Sequence, residues 1–357
     1  MLLEGIFAAA TTPFYPDSSL YLRKLEHNIE RYSRTPVAGI VVLGSTGEAV
    51  LLDDAETRET LRTAALSAAP EKVLVAGVGQ QGAVPTIRLA EFAATAGYDA
   101  VLVRTPFYYA PHMSPLAMLT YYRTVADHSP LPVILYSIPK FTHYDMPVEL
   151  IAELAHHPNI IGLKDSSGSV ERIAAIAEAT RAVPKKTFNV TSIFSAVTRR
   201  MHAAAIAPKE PSAQLVTIGG TVSVPPAPSL TNPSAEPNPK WRTRSVGFQL
   251  LCGAADKLLP SLQAGATGAV LALAAPAPQA CHEVYIAWKE NDPPLALEKQ
   301  QRILQASAIV AGKLGIAGIK AACDLNGYYG GRPRLPLLPL TGEEQAVVAS
   351  TMRDLRN

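Results

Sequence analysis

Apolar residues fall in eight short, nearly uninterrupted runs along the chain, at 5–10, 39–43, 73–78, 100–103, 133–136, 160–164, 248–252 and 268–274. None shows the strict alternation of a strand with one wet face, so each reads as a strand buried on both sides. Between most of them lie stretches with apolar residues at helical spacing, at 20–33, 55–69, 86–96, 115–127, 147–156 and 170–181. Buried strands alternating with amphipathic helices predict parallel β/α units. Eight units predict an α/β fold of the closed (β/α)8 (TIM) barrel type, with an open doubly wound sheet as the alternative.

The rhythm breaks once, between the sixth strand and the seventh. Residues 184–246 include eight prolines between Pro208 and Pro239, mixed with Ser, Thr and Asn. Such a composition buries little apolar surface and predicts a long loop or a partly disordered excursion, with a short helix over 193–205. Because this insert follows a helix and precedes a strand, it is expected on the N-terminal face of the barrel, away from the face where barrel enzymes keep their chemistry. Helical periodicity continues at 279–291, 295–312 and 316–325, beyond what a bare barrel needs. The expected organisation is a barrel over 1–280, interrupted by the insert 184–246, and a helical C-terminal region over 281–357.

With 357 residues, 48% apolar and 17% charged, the chain has the composition of an ordinary globular protein. Its formal net charge of +2 is spread without a basic block, which argues against nucleic acid or an anionic membrane as partner. Cys252, Cys281 and Cys323 are odd in number and lack metal-ligand spacing, so they are expected reduced and buried, in keeping with a cytoplasmic protein. The first residues, with Glu4 inside the apolar start, do not read as an export signal. The uncharged stretch 258–280 is broken by Pro260 and Gln263 and reads as a short helix followed by a buried strand rather than as a membrane span.

Candidate chemistry sits where the apolar runs end. The sixth run closes on Lys164, followed at once by Asp165-Ser166-Ser167-Gly168. An amine at the tip of a buried strand suits attack on a carbonyl, because a desolvated lysine loses basicity and becomes a nucleophile. The simpler alternative is an ion pair between Lys164 and a neighbouring carboxylate. After the second run, Gly44-Ser45-Thr46-Gly47-Glu48 forms a tight turn whose N–H and hydroxyl groups can hold a carboxylate. A plain strand-to-helix turn remains the alternative. The fourth and fifth runs end in Thr105-Pro106-Phe107-Tyr108-Tyr109 and Tyr136-Ser137-Ile138-Pro139, which bring further hydroxyls to the same end.

Together with Thr12-Pro13-Phe14 and Gly162-Leu163-Lys164-Asp165, these motifs resemble, in order and spacing, the dihydrodipicolinate synthase and N-acetylneuraminate lyase superfamily of pyruvate-dependent class I aldolases. The likeness covers residues 1–183 and 247–340. Within the superfamily, Tyr136-Ser137-Ile138-Pro139, Gly315-Ile316-Ala317-Gly318-Ile319-Lys320 and Gly327-Tyr328-Tyr329-Gly330-Gly331 look closest to 4-hydroxy-2-oxoglutarate aldolases. The resemblance implies a Schiff base between Lys164 and a 2-oxo acid, with Tyr136 as proton relay and Thr46 linking it to Tyr108, which in the family reaches in from a neighbouring subunit. It implies that Gly44, Ser45 and Thr46 hold the pyruvyl carboxylate. It implies no metal and no cofactor, a small 2-oxo acid and an aldehyde as substrates, and a homotetramer or homodimer.

Departures bear on the acceptor aldehyde. The synthases carry an arginine shortly after Tyr-x-x-Pro to pair with a second carboxylate; here that position is Phe141, beside Lys140, and His143 replaces a small residue. The leading expectation is therefore an aldolase of the 4-hydroxy-2-oxoglutarate type. A 4-hydroxy-tetrahydrodipicolinate synthase, in which Lys140 or Arg104 supplies the missing charge, is the runner-up. A pyridoxal phosphate enzyme with Ser166-Ser167-Gly168 as phosphate cup is a third possibility, and a non-catalytic 2-oxo acid binding protein a fourth.

Overall fold

The computed structural model describes residues 1–193, 195–206 and 241–355. Ten strands follow in chain order: β1 (Gly5–Ala9), β2 (Gly39–Val42), β3 (Val73–Gly77), β4 (Ala100–Arg104), β5 (Val133–Ser137), β6 (Ile160–Asp165), β7 (Lys186–Val190), β8 (Arg242–Val246), β9 (Gln249–Cys252) and β10 (Gly268–Leu271). Eight of them close a parallel barrel in the order β1-β10-β9-β6-β5-β4-β3-β2. The pairing of β1 with β10, from Gly5 opposite Gly268 to Ala8 opposite Leu271, rules out the open doubly wound sheet. All eight apolar runs are barrel strands.

Their unbroken hydrophobicity has a simple cause. Phe7, Val41, Val75, Leu102, Ile134, Leu251 and Val270 point inward and fill the barrel. Their chain neighbours Ile6, Ile40, Leu74, Val101, Val133 and Leu250 point outward into the helical layer. Apart from Arg104 at the end of β4, every barrel-strand position is buried, so no polar alternation survives.

That layer comprises α1 (Leu22–Ser33), α2 (Asp54–Ser67), α3 (Ala83–Thr95), α4 (Pro115–His128), the short α5 (Pro139–Thr142), α6 (Val148–Ala155) and α7 (Val170–Ala179). After β9 come α9 (Leu258–Gln263) and, past β10, α10 (Pro278–Lys289). Local signals set the starts. Asp53 and Glu56 form a reciprocal capping box on α2, Ser114 caps α4 ahead of Pro115, and Ser169 caps α7. The C-terminal region adds α11 (Pro293–Ala306), a π-helical turn at Ser307–Lys313, α12 (Gly315–Leu325) and α13 (Gly342–Thr351). The segment 258–280 is α9 and β10, as its prolines and glycines suggest. No described helix is long and apolar enough to cross a membrane. The three cysteines are free and buried.

The insert corrects one expectation. Its two ends are not loop but an antiparallel ribbon, β7 with β8, in register from Lys186 opposite Val246 to Val190 opposite Arg242. Lys, Thr, Asn and Arg dominate these strands and one side stays wet, so they carry no apolar run to announce them. The short helix α8 spans Arg199–Ile206. The proline-rich stretch between Pro208 and Pro239 lies outside the described residues.

The flanks of the insert do sit on the N-terminal face. Arg200 donates to the carbonyls of Ala69 and Gly97, which precede β3 and β4, and Lys186 donates to those of His157 and Ile160. Phe188 and Ala196 pack under the inward-facing residues of the barrel. Asp99, 1% exposed, ties the two together: it accepts from the N–H of Leu74 at 2.8 Å and of Arg199 at 2.6 Å, with Arg200 at 3.8 Å. Burial pushes its carboxyl above the usual carboxylate value, and these donors oppose the shift. Replacing Asp99 by Ala leaves two buried N–H groups without acceptor and is expected to lower unfolding stability by about 2–4 kcal/mol. Urea denaturation checks this, and an unchanged midpoint would show that the junction carries no stability.

Candidate active site

In a parallel ladder, residues opposite each other point to the same side of the sheet. Lys164 on β6 is opposite Tyr136 on β5, and Tyr136 is opposite Arg104 on β4. The three therefore form one tier inside the barrel at its C-terminal mouth, directly above Leu102, Ile134 and Gly162. Lys164 is 5% exposed, and its Nζ lies 4.2 Å from the centroid of the Tyr136 ring. Among the described residues no carboxylate pairs with it.

Asp165, the obvious candidate for an ion pair, points to the other side of the strand. Its carboxylate accepts from Arg172 Nε at 2.8 Å and from the Ser167 N–H at 2.9 Å, and Arg172 also reaches Asp145 at 3.3 Å. The strand-end ion pair is thus formed by Asp165 and Arg172, which fixes the turn after Lys164 and leaves the amine to the cavity. Ser167 is engaged with Asp165 and Ser169, so the Ser-Ser-Gly step is a closed turn rather than an open cup.

The turn after β2 is a 3-10 helix at Ser45–Gly47, preceded by Gly44. Its first N–H groups, those of Ser45 and Thr46, have no intrahelical acceptor. The Tyr136 hydroxyl lies 3.2 Å from Ser45 Oγ. The link from Tyr136 to this turn therefore runs through Ser45. Thr46 lines the same cavity, and its side chain makes no hydrogen bond among the described residues. Adjacent hydroxyls in a sequence cannot reveal which of them the turn aims inward.

Two left-handed residues bracket the turn, Leu43 at φ 59° and Glu48 at φ 56°. Side chains with a Cβ adopt this conformation only when their surroundings compel it. The Thr12 hydroxyl donates to the Gly47 carbonyl at 2.6 Å. The Glu48 carboxylate sits 2.5 Å from Lys320 Nζ, both side chains fully buried, and accepts from the Arg334 N–H at 2.8 Å. Burial pushes the Lys320 ammonium below the usual lysine range, against the pull of Glu48. Phe14 lies between Lys320 and Arg334, its centroid 4.4 Å from Lys320 Nζ and 4.3 Å from Arg334 Cζ. Arg334 is paired through both terminal nitrogens with Glu56. The Tyr328-Tyr329 step docks this region on α1: Tyr328 stacks on Tyr32 at 4.6 Å, and the Asn28 side chain bonds both backbone groups of Tyr329.

Two adjoining cavities open here. One, of about 260 Å³, is lined by Lys164, Tyr136, Ser45 and Thr46. The other, of about 330 Å³, is lined by Arg104, Phe107 and Thr142, and the two share Ser45, Ile138, Phe141 and Ile316. Phe141 is half exposed on α5 at their common rim, beside the exposed Lys140. His143 caps α5 in a left-handed conformation and lines neither cavity. Tyr108 is 73% exposed, its ring 5.0 Å from that of Tyr109, and within one chain it does not approach Tyr136. No group of three or more His, Cys, Asp or Glu residues suited to a metal ion occurs among the described residues.

The profile of the dihydrodipicolinate synthetase family matches residues 2–186 and 238–355, passing over the stretch that holds most of the insert. A 4-hydroxy-tetrahydrodipicolinate synthase of Xanthomonas campestris is 41% identical over 176 residues, 49% of this chain and 58% of that protein. The match thus takes in little more than half of that relative's length. The synthase of the same name from Methanothrix thermoacetophila is 28% identical over 99% of this chain and 98% of its own. The crystal structure of a dihydrodipicolinate synthase from Bacillus anthracis superposes with a TM-score of 0.77 at 22% identity, covering 99% of both chains.

Replacing Glu48 by Gln strands the Lys320 charge in the interior and is expected to cost about 3–5 kcal/mol. Adding Lys320→Met should restore part of that loss, because the two changes share one interaction. Chemical denaturation of the two single variants and the double variant checks both statements; strictly additive losses would show that the pair is not coupled.

Proposed function

The chain belongs to the dihydrodipicolinate synthetase family, and from that membership we propose that it is a pyruvate-dependent lyase that makes and breaks a carbon–carbon bond through a Schiff base on Lys164. The observation that carries this reading is the Lys164 amine, buried, without a carboxylate partner among the described residues and set against the Tyr136 ring in the cavity that Ser45 and Thr46 also line. The amine attacks the ketone carbon of pyruvate, and loss of water leaves an iminium that draws electrons from the methyl carbon. Tyr136, having given its proton to the departing water, takes one from the methyl carbon, and the resulting enamine adds to the aldehyde. Tyr136 protonates the new alkoxide, and its proton is renewed through Ser45. Water then releases the product and the free amine. The turn at Ser45 and Thr46 receives the pyruvyl carboxylate on its unpaired N–H groups. Tyr108 completes the relay from a second copy of the chain, as its exposure permits, so the working form is a homo-oligomer.

For the acceptor, we favour the aldehyde of a 4-hydroxy-2-oxo acid of the 4-hydroxy-2-oxoglutarate type. At the rim position used by the synthases stands Phe141, which cannot form a bidentate pair with a second carboxylate. The names of the relatives favour a second reading, 4-hydroxy-tetrahydrodipicolinate synthase acting on aspartate semialdehyde.

Borohydride added with pyruvate is expected to leave a pyruvyl adduct on Lys164, located by peptide mass spectrometry, and the Lys164→Ala variant should take up none. Label on another lysine would sink the mechanism. Comparison of kcat/KM then separates the two acceptors: cleavage of 4-hydroxy-2-oxoglutarate should exceed condensation with aspartate semialdehyde by about tenfold or more, the scale of one lost ion pair. The reverse order would give the second reading.

A further inference from the structure

Arg104 does nothing in the scheme above, yet it occupies the same interior tier as Tyr136 and Lys164. A guanidinium cannot shed its charge at ordinary pH, so one turned into a barrel requires a counter-charge. None is present. Among the described residues its enclosed Nε has no hydrogen-bond partner, and its Cζ lies 5.9 Å from the centre of the Phe107 ring. Burial pushes the group below its usual value, and the groups that oppose this are tyrosines, not carboxylates. Glu48, the only acid lining the 330 Å³ cavity, is held by Lys320 and the Arg334 N–H.

The fold makes room for this side chain. A Cβ at Gly79, beyond the tip of β3, would lie 2.6 Å from the Arg104 backbone nitrogen and 2.9 Å from its side-chain Cγ. Arg104 lines one chamber, and Ser45, Ile138, Phe141 and Ile316 are common to it and the chamber of Lys164. Lys140, the other cation near the rim, is exposed and lies over the Phe141 ring at 5.8 Å. It lines the chamber of Lys164 and not that of Arg104.

We propose that Arg104 is the specificity-determining residue for the acceptor, holding a carboxylate on the aldehyde while the aldehyde carbon meets the enamine on Lys164. This inference rests on the lyase reading and adds the chemistry of the second substrate: an aldehyde with an acidic group close to the reacting carbon, delivered in reverse by a 4-hydroxy-2-oxo diacid.

The test uses the full-length protein and two cleavage substrates, 4-hydroxy-2-oxoglutarate and 4-hydroxy-2-oxopentanoate, which carries a methyl group where the first carries its distal carboxylate. Pyruvate release is followed for both. The wild type should prefer the diacid by about 10²-fold in kcat/KM, as expected where a built polar partner is left unpaired by the analogue. Arg104→Met should shrink that preference at least tenfold, mainly through KM, and Arg104→Lys should recover part of it. The preference is a ratio within one variant, so partial misfolding does not alter it. A preference unchanged in Arg104→Met, or absent from the wild type, overturns the assignment of Arg104. Failure of borohydride to trap pyruvate on wild-type Lys164 would instead remove the lyase reading and this inference with it.

Discussion

The buried contact between Glu48 and Lys320 is the constraint on which the mouth of the barrel depends. A carboxylate and an ammonium with no exposure to water tolerate each other's presence only at contact distance, since either alone would carry a large desolvation penalty. One belongs to the turn after β2 and the other to α12, so the turn cannot relax without dragging the C-terminal region with it. That explains how Glu48 is kept left-handed, and why Ser45 faces Tyr136 rather than solvent. The extra helices act as a brace for a turn on the other side of the mouth.

The two ends of the barrel are stabilised by different means. At the mouth, polar side chains are presented to cavities, and much of their bonding capacity is left open. At the opposite end, capacity is used up: Asp99, Arg200 and Lys186 are bonded to backbone groups at or near the starts of β3, β6 and α8. Rigidity below and open valence above follow the general division of labour in this fold. The described flanks of the insert bond to the closed end.

The barrel was legible because its strands are buried on both faces, a pattern few other elements share. Lys164 and Tyr136 stood out as polar atoms at the ends of apolar runs, and Glu48 and Lys320 each lay within a recognisable motif. Their mutual contact was not legible, since nothing local records that two charges far apart in the chain will meet. The β7–β8 ribbon was hidden for the opposite reason: strands made of Lys, Thr and Arg resemble loop until their partner is known. Arg104 could be seen as a charge but not as an inward one, because strand parity inside a barrel is set by register with its neighbours.

The ribbon also governs how the chain is connected. Five successive residue pairs return the backbone, after the excursion, to within one strand spacing of the point where it left. From the side of the barrel, α7 and β9 are therefore joined as if by a short hairpin, whatever lies beyond it. Closing a longer loop costs only about 0.6 kcal/mol for each doubling of its length. A fold wired in this way can accept new sequence, a fused domain or even new chain ends beyond the ribbon at little thermodynamic expense. Evolution thus has a port on the one face of the molecule where growth does not obstruct the entry of substrate.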